Sequence, residues 1–451
     1  MLDSSVEGLK RIACARIDQR GADLIALARA ILASPETGFT EEKTSALVQG
    51  WFRELGIPYR AGLAITGVKG RMQGGAGPGP AVAIIGELDS LRVPDHPHAD
   101  PATGAAHACG HHAQIAMMLG ATVGLLAPEV LSHLSGAVVP FAVPAEELIE
   151  VERRLRLREE GRTELLGGKQ ELVRLGEFDD VDMAMMCHTS SNMSGKSVEV
   201  GGTSNGHVVK YVQFIGRGAH AGGSPHLGVN ALNAAMLALS AIHANREAFQ
   251  EKDTVRVHGI MTRGGEAVSA VPADVRLEWR VRSSNLEALV ENSRRVDRCF
   301  KAGALAVGAR VRIETIAGYL PMCNEPGLQE VFAANARELV GKGKVVVRSP
   351  DFTRGGSTDM GDLSHVVPSI HPYVAGATGT GHGKDYLVQD YEMAVLVPAR
   401  AMAMTVIDLL ADGARKAREV LAAARPLMDR QGYVAFQRER AGVVEFDGAA
   451  G

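Results

Sequence analysis

Apolar residues near the start of the chain recur at helical spacing, and further on they gather into short continuous runs. The spacing predicts helices over residues 18–32 and 40–55. Continuous apolar runs at 81–86 and 137–143 are typical of strands buried on both faces, and a helix-period segment at 111–126 lies between them. A strand, a helix and a strand in this order predict a right-handed crossover in a mostly parallel sheet flanked by helices. The predicted fold class is therefore α/β.

The pattern changes after residue 205. The next segment predicts, in order, a strand at 208–215, a helix at 230–245, strands at 254–261 and 274–281, a helix at 286–307 and a strand at 311–316. The order β-α-β-β-α-β is the split, ferredoxin-like pattern, and it predicts a separate domain over 206–320. This domain would be inserted between two parts of the first, 1–205 and 321–451. The last part contains predicted helices at 325–340 and 393–411, and its Gly/Ala-rich end is expected to be frayed.

The composition of the chain argues against several classes of protein. The chain has 451 residues, about three times the length of one typical domain, so two or three domains are expected. A formal net charge of −4 gives no electrostatic basis for binding nucleic acid. The longest apolar stretches, 113–126 and 394–410, are interrupted by polar residues and fall short of the ~20 apolar residues of a membrane span, and the N-terminus has no apolar signal core. Five cysteines without paired spacing fit a reducing compartment, which predicts a soluble cytoplasmic protein without a membrane partner.

Histidines are concentrated between a predicted strand and the helix that follows it. Five of the 15 histidines lie between His96 and His112, where open α/β sheets place their sites. Cys109 and His111 are separated by one glycine, so a thiolate and an imidazole can converge on one zinc ion or a related divalent metal. The alternative is a solvated His-rich loop that contains one buried cysteine.

Two adjacent carboxylates follow the next predicted strand. Glu146 and Glu147 would emerge beside the His/Cys loop, because the carboxyl ends of parallel strands share one edge of a sheet. One carboxylate can then bind metal while its neighbour acts as a general base. A bare Glu-Glu pair is otherwise typical of a solvated helix start.

Two further histidines complete the set. His188 ends an apolar run, and His382 is flanked by glycines. Taken singly, they fit a structural histidine at a strand end and a turn. Together with the thiolate, His111 and the carboxylates, they indicate a hydrolytic metal site.

At this point the sequence resembles the metal-dependent aminoacylase and amidohydrolase family of peptidases, which includes auxin-conjugate, hippurate and aminobenzoyl-glutamate hydrolases. The resemblance covers about 18–410. The motifs that carry it are Gly86-Glu87-Leu88-Asp89, His107-Ala108-Cys109-Gly110-His111, Ala145-Glu146-Glu147, Gly216-Arg217-Gly218-Ala219-His220-Ala221 and His382 in its Gly-rich loop. It implies a zinc-exopeptidase-like catalytic domain with an inserted ferredoxin-like lid and dimerisation domain, and therefore a homodimer or a higher homo-oligomer.

The resemblance also implies roles for single residues. The ligands of one or two divalent metal ions, zinc or manganese, would be Cys109, His111, Glu147, His188 and His382. Glu146 would be the base that activates a metal-bound water. His220 of the inserted domain would stabilise the tetrahedral oxyanion, in relatives often across the dimer. Arg282 matches an arginine of many members, and Ser269 stands where relatives often have a substrate-contacting Asn.

Several positions depart from the family pattern. Relatives commonly have Asp and His where this chain has His112 and Gln114, and the segment 357–362 resembles the aminobenzoyl-glutamate branch more than the auxin-conjugate branch. A charged helical segment, 148–162, is longer than usual, and it fits either a solvated helix or a substrate gate.

The predicted function is hydrolysis of a C–N bond in a small molecule, an N-acyl amino acid or an aminobenzoyl compound. One alternative is hydrolytic removal of the amino group from an aromatic acid such as a nitro-substituted aminobenzoate. A second alternative is a non-catalytic binding homologue, which should have lost the base or several ligands. A third is a redox metal protein, which would not need the spare carboxylate of Glu146.

Overall fold

Two compact units make up the chain in the computed structural model, which describes residues 5–193 and 195–450. Within the described residues, unit 1 comprises 5–202, 323–352 and 362–430, and unit 2 comprises 203–322, 353–361 and 431–450. The predicted division places all of 321–451 with the first domain, whereas the structure assigns the C-terminal segment from residue 431 onwards to unit 2.

Helices and strands are interspersed along the chain, often in runs of one kind. The helices are α1 (Val6–Gln19), α2 (Gly21–Leu32), α3 (Glu42–Glu54), α4 (His111–Leu125), α5 (Pro128–Leu131), α6 (Val151–Glu159), α7 (Gly168–Arg174), α8 (Ala231–Ala244), α9 (Leu286–Val307), α10 (Pro326–Val340), α11 (Met360–Ser364), α12 (Val397–Leu410), α13 (Arg415–Ala423) and α14 (Arg430–Arg440). The strands are β1 (Tyr59–Leu63), β2 (Gly67–Gly70), β3 (Met72–Gln73), β4 (Ala81–Glu87), β5 (Leu91–Arg92), β6 (Ala105–Ala106), β7 (Ala137–Val143), β8 (Met183–Met185), β9 (His188–Thr189), β10 (Val198–Thr203), β11 (Gly206–Ile215), β12 (Arg256–Arg263), β13 (Asp274–Ser283), β14 (Arg310–Ala317), β15 (Val345–Thr353), β16 (Ser369–Ile370), β17 (Tyr373–Val374), β18 (Ala377–Thr378), β19 (Leu387–Val388) and β20 (Gly442–Asp447).

The main sheet of unit 1 has a parallel centre and antiparallel flanks. Its strands run in the order β1-β2-β7-β4-β8-β16, with β3 paired to β7 as well. The pairs β7–β4, β4–β8 and β8–β16 are parallel, whereas β1, β2 and β3 pair antiparallel. The expectation of a mostly parallel sheet therefore holds for the central strands, and the sheet as a whole is mixed. The short connection between β1 and β2 favours their antiparallel pairing, whereas β2 and β3 pair with β7, which is distant in sequence.

The two central strands explain why the site forms where it does. Every residue of β4 and of β7 is buried, as the continuous apolar runs predict for strands covered on both faces. The two strands are parallel and in register from Ala81 opposite Ala137 to Glu87 opposite Val143. Their carboxyl ends therefore meet at one edge of the sheet, and the segments after Glu87 and after Val143 begin side by side.

A long apolar helix passes through the core of unit 1. A π-helical turn, Glu392–Leu396, leads into α12, and together they form a 19-residue helix that is long and apolar enough to cross a membrane. In the structure 83% of its most apolar stretch is buried inside the protein. Burial of this kind is typical of a core helix, and it accounts for the apolar composition of the segment.

Unit 2 is built around a five-stranded antiparallel sheet in the order β12-β13-β11-β14-β20. Its elements follow along the chain as β11, α8, β12, β13, α9 and β14. Alternate residues of β13 are buried, so one face of the sheet packs on an apolar core and the other is polar. Asn285 caps α9 by accepting a hydrogen bond from the backbone N–H of Ala288.

The C-terminal end differs from the frayed tail that the sequence predicts. Strand β20 pairs with β14 over its whole length, from Gly442 opposite Thr315 to Asp447 opposite Arg310. Helix α14 precedes it, with Tyr433 and Gln437 fully buried. Pairing with a distant strand, rather than local composition, gives this segment its structure.

Candidate metal centre

The His/Cys loop delivers its two predicted ligands at the start of α4. Gly110 has φ 96°, and a side chain at this position would collide with Oγ1 of Thr189. Glycine therefore allows the sharp turn between Cys109 and His111, because other residues rarely adopt this backbone conformation. Cys109 precedes the turn, and His111 begins the helix.

His111 is oriented by the end of the neighbouring strand. Its Nδ1 lies 2.9 Å from the carbonyl oxygen of Asp89 and 3.2 Å from Oδ1 of the same residue. The other carboxylate oxygen of Asp89 accepts a hydrogen bond from the backbone N–H of Glu147 at 2.8 Å. Asp89 thus fixes one histidine and one carboxylate of the predicted set together, and Nε2 of His111 is left for a ligand.

His188 approaches Cys109 from β9, an edge strand of a second, four-stranded sheet of order β15-β10-β17-β9. Its Nε2 lies 3.3 Å from Sγ of Cys109, and its Nδ1 lies 2.6 Å from the carbonyl oxygen of Thr189. A histidine whose Nδ1–H is held by a carbonyl oxygen presents Nε2 to a metal.

His382 and Glu147 form the other side of the cluster. Nε2 of His382 lies 3.3 Å from Oε1 of Glu147. The Gly-rich loop is tied down next to the site, because the backbone N–H of His382 donates to the carbonyl oxygen of Ala108 at 2.9 Å. His382 has φ 64° and a side chain that is more than half exposed, so it lies at the mouth of the cluster.

The ligand atoms form two groups that share one sulfur. Cys109, His111 and His188 have ligand atoms within 4.8 Å of one another, and so do Cys109, Glu147 and His382. A thiolate with imidazoles, or with an imidazole and a carboxylate, suits zinc and related divalent metals. The structure brings together all five residues that the sequence singled out as ligands.

The donor atoms also fit an ion in another respect. Within the described residues 5–193 and 195–450, Nε2 of His111 and Oε1 of Glu147 are buried and make no hydrogen bond, although Oε2 of Glu87 lies 3.1 Å from the first and Nε2 of His382 lies 3.3 Å from the second. Buried polar atoms are nearly always satisfied, and a coordinated ion would satisfy both. The site therefore accepts a divalent metal by donor type, spacing and unmet bonding capacity.

Glu146 lies beside this cluster without belonging to the ligand groups that contain Cys109. A carboxylate oxygen of Glu146 is within 4.8 Å of ligand atoms of His111 and Glu87, and only 7% of the residue is exposed. A buried carboxylate next to a candidate metal ligand is placed to accept a proton from a reacting water.

Burial dominates the acid–base properties of the cluster. Burial and the nearby carboxylate of Glu147 raise the pKa of the Cys109 thiol. Burial and the positive charge of His111 lower the pKa of His188 to about 4, so that its imidazole is neutral at pH 7. Neutral imidazole is the form that binds a metal, whereas the thiol must lose its proton when an ion binds.

Three charged or polar side chains lie behind the site, and sequence reasoning assigned a role to none of them. Nζ of Lys169 lies 2.6 Å from Oε1 of Glu87, and Nε2 of Gln114 donates to Oε2 of Glu87 at 2.9 Å. The same Oε2 lies 3.1 Å from Nε2 of His111. The sequence carried two signals for this cluster: Gln114 occupies a position at which the chain departs from the family pattern, and Glu87 belongs to the motif Gly86-Glu87-Leu88-Asp89.

A second buried acid supports the turn that carries the adjacent carboxylates. Oε1 of Glu41 accepts a hydrogen bond from the backbone N–H of Ala145 at 2.8 Å, and Oε2 accepts one from Thr66 Oγ1 at 2.7 Å. Burial, together with the negative charge of Asp89, raises the pKa of Glu41 to about 7. No motif in the sequence pointed to Glu41.

The remaining predicted residues lie in unit 2. His220 is exposed, and its Nδ1 accepts hydrogen bonds from the backbone N–H groups of Gly222 and Gly223. The carbonyl oxygen of Ser269 accepts a hydrogen bond from the N–H of Ala221, so Ser269 lies on the chain segment next to His220. Arg282 donates to Oγ of Ser357 at 2.8 Å and to Nε2 of His258 at 3.1 Å.

Comparison with known proteins gives one family. The profile of peptidase family M20/M25/M40 matches residues 83–404. An Xaa-Arg dipeptidase of Mus musculus is 31% identical over 92% of this chain and 93% of its own length. An N-acyl-L-amino acid amidohydrolase of Geobacillus stearothermophilus is 26% identical over 70% of this chain and 81% of its own. Among solved structures, a dinuclear metal-binding peptidase of the M20 family from Bacillus subtilis superposes with a TM-score of 0.63 at 19% identity, over 86% of this chain and 98% of that one.

Proposed function

Because the chain belongs to peptidase family M20/M25/M40, we propose that it hydrolyses the amide bond of a small N-acyl amino acid or a closely related compound. The chain is accordingly a metal-dependent hydrolase acting on C–N bonds. The names of the two relatives, a dipeptidase and an N-acyl-L-amino acid amidohydrolase, both denote cleavage of an amide, and they support the proposed class of substrate.

The observation that carries the proposal is the position of Glu146. It is buried, it is adjacent in sequence to Glu147, and it lies within 4.8 Å of a ligand atom of His111. A hydrolase needs a base close to the ion but outside its ligand set, whereas an electron-transfer site has no use for one.

We propose that the site holds two divalent ions, zinc or manganese, with Cys109 shared between them. The ion next to His188 would be held by Cys109, His111 and His188, and the other by Cys109, Glu147 and His382. The dinuclear description of the Bacillus subtilis relative supports this number. Two ions held by these residues would supply Lewis-acid chemistry to one substrate.

Each residue of the site would have a separate role in the reaction. A bound divalent ion supplies a Lewis acid that polarises the amide carbonyl. Glu146 takes the proton from the attacking water and passes it to the nitrogen of the leaving amine. His220 donates a hydrogen bond to the oxyanion that develops on the carbonyl oxygen. Arg282 pairs with a carboxylate of the substrate, and Ser269 lines the same binding region.

We propose that unit 2 is an inserted ferredoxin-like lid that also forms a homodimer. The order of its elements, β-α-β-β-α-β, and its antiparallel sheet support this assignment. Strand β12 is an edge strand on which Ile260 is 61% exposed, and unpaired edges of this kind readily accept a second copy. A cytoplasmic location is supported by the five cysteines, all of which are free thiols.

The test is a hydrolysis screen of the metal-reconstituted protein, with free amino acid and ammonia measured separately. The substrates are N-acyl amino acids, dipeptides ending in arginine, aminobenzoyl-glutamate and substituted aminobenzoates, and Glu146→Gln is the inactive control. Amino-acid release from an amide substrate supports the proposal. Ammonia released without an amino acid would replace it with deamination of an aromatic amine, and no turnover by a fully metal-loaded protein would leave the non-catalytic homologue.

A further inference from the structure

One side of the charged segment 148–162 is buried inside the protein. Helix α6 lies within it, and its residues Val151, Arg154, Leu155 and Leu157 are buried while Arg156 is exposed. Arg154 is 0% exposed and is among the largest fully buried side chains of the protein. Burying a guanidinium away from water costs several kcal/mol unless its donors are used, so its contacts identify what it does.

The guanidinium of Arg154 binds the main chain on both sides of the adjacent carboxylates. Nη1 donates to the carbonyl oxygen of Ala145 at 3.3 Å and to that of Leu166 at 2.6 Å, and Nη2 donates to the carbonyl oxygen of Glu147. The planar group also lies against the ring of Phe39, with 5.2 Å from Cζ to the ring centroid. One side chain thus ties together the turn that begins at Ala145 and the loop at Leu166 that precedes α7.

The turn has a strained backbone, and the hydrogen bonds around it hold that conformation. Ala145 has φ 53°, a left-handed conformation that is unfavourable for a non-glycine residue. Its N–H is held by Glu41, and the N–H of Glu147 is held by Asp89, while Arg154 binds the carbonyl oxygens of both residues. The backbone on either side of Glu146 is therefore fixed through its donors and its acceptors.

Gly38 allows the guanidinium to reach this position. A Cβ on Gly38 would lie 2.5 Å from Nη2 of Arg154 and 2.8 Å from Cα of Ala145. A methyl group there must displace either the guanidinium or the turn. Substitution of Gly38 thus perturbs the same contact while leaving Arg154 in the sequence.

We propose that Arg154 is a positioning residue that sets the geometry of Glu146 and Glu147 by holding the carbonyl oxygens of Ala145 and Glu147. The proposal rests on the proposed function, which makes Glu147 a metal ligand and Glu146 the base. It goes further because it gives the charged segment 148–162 a role, which is to support the site from inside the protein through Arg154. The planar fork of arginine suits this role because it offers several donors in fixed directions, which lysine cannot reproduce.

The experiment compares Arg154→Met and Arg154→Lys with Arg156→Met, an exposed arginine on the same helix that serves as the matched control. Gly38→Ala is added in case the buried variants fail to fold. Cobalt binding is measured without substrate through the thiolate-to-cobalt absorption band of Cys109, and kcat and KM are measured with the best amide substrate. Thermal melting shows which variants are folded.

Arg154→Met is expected to weaken cobalt binding 10- to 100-fold, the usual range for residues that support metal ligands, and to lower kcat by a similar factor with KM changed less than threefold. Arg154→Lys should recover part of both, and Gly38→Ala should shift both in the same direction as Arg154→Met. The proposal is overturned if folded Arg154→Met matches the control in cobalt affinity and kcat, or if neither lysine nor Gly38→Ala changes them in the expected direction. If the parent protein hydrolyses no amide while Arg154→Met still binds cobalt more weakly, the proposed function fails and the positioning role of Arg154 stands.

Discussion

Nζ of Lys169 lies 2.6 Å from Oε1 of Glu87, and the side chains of both residues are at most 1% exposed. The other oxygen of Glu87 accepts a hydrogen bond from Gln114 and lies 3.1 Å from Nε2 of His111. Burial by itself raises the pKa of Glu87, but the charges of Lys169 and His111 outweigh it and hold the pKa below its usual range. The pair therefore places a carboxylate behind a candidate metal ligand and balances its charge from the opposite side.

Removing one partner of this ion pair should lower the free energy of unfolding more than removing both partners. Lys169→Met is expected to lower the free energy of unfolding by about 3–5 kcal/mol, because it leaves a buried carboxylate without its cation. The double variant Glu87→Gln with Lys169→Met should recover much of that loss. Urea unfolding monitored by circular dichroism measures both, with Lys416→Met of the exposed Lys416–Glu419 pair as the control for a surface ion pair. Equal losses in the single and double variants would mean that the ion pair itself contributes little.

The two ligand groups should lose their ions separately. His188 belongs to one group and His382 to the other, while Cys109 belongs to both. His188→Ala and His382→Ala are therefore each expected to retain about half of the bound metal, and Cys109→Ala to lose most of it. Elemental analysis after dialysis gives the stoichiometry. Full metal content in Cys109→Ala would show that the thiolate is not a ligand.

Glu146 should transfer a proton during turnover and should not bind the metal. Glu146→Gln is expected to keep the fold and the metal content while kcat falls by about 10² to 10⁴, the range for loss of a general base. Elemental analysis and steady-state kinetics of the same preparation separate the two effects. A matching loss of metal would instead make Glu146 a ligand, and unchanged activity would mean that another group moves the proton.

Glu41 should give the metal-free protein a recognisable dependence of stability on pH. Its pKa is raised to about 7 in the folded protein and is about 4.3 in an unfolded chain. Between these values the unfolded chain has released a proton that the folded protein keeps, so stability falls as the pH rises, by up to about 1.4 kcal/mol per pH unit. The effect is absent below pH ~4.3 and complete above pH ~7.

Glu41→Gln is expected to flatten this slope. Unfolding midpoints in urea between pH 4.5 and 7.5, measured after chelation of metal, provide the comparison. The exposed neighbour Glu42 serves as the control, because Glu42→Gln should leave the slope unchanged. Parallel curves for the parent and Glu41→Gln would show that Glu41 titrates normally.

His220 should be required for turnover but not for metal. We expect His220→Ala to keep its metal content and melting temperature while kcat falls about 10²- to 10³-fold, as for the loss of one oxyanion donor. If the proposed dimer shares the residue, mixing His220→Ala with Glu146→Gln subunits should restore part of the activity. The absence of recovery in confirmed mixed dimers would place His220 in its own subunit's site or outside catalysis.

Local signals predicted those elements whose ends are marked in the sequence. Strand β7 was expected at 137–143 and lies there, since Gly136 directly precedes it and its apolar run is continuous. Helix α9 matches its expected range, 286–307, because Asn285 caps its start and Gly308 ends it with φ 68°. Strand β20 could not be predicted in the same way, because Val443 and Val444 are largely exposed and only pairing with β14 makes the segment a strand.

The same distinction applies to the residues of the site: some are marked by local sequence signals and others are not. Cys109, His111, Glu146 and Glu147 could be singled out because thiol, imidazole and paired carboxylates are unusual at the ends of buried strands. Their supporting residues Glu41, Arg154 and Lys169 could not, because charged residues are almost always at the surface and nothing local marks the few that are buried. Their roles depend on neighbours that are distant in sequence.

The discontinuous path of unit 1 has a consequence for the protein as it leaves the ribosome. Cys109, His111, Glu147 and His188 are made before any of unit 2, whereas His382 is made after residue 322. About 190 residues separate His188 from His382, so at roughly 5–20 residues per second the nascent chain spends about 10–40 s without its last ligand. In that interval Cys109, His111 and His188 have all been made, while the group that needs His382 is incomplete. The two ligand groups would therefore be completed in the order of translation, and the second group would be complete only once nearly the whole chain has been made.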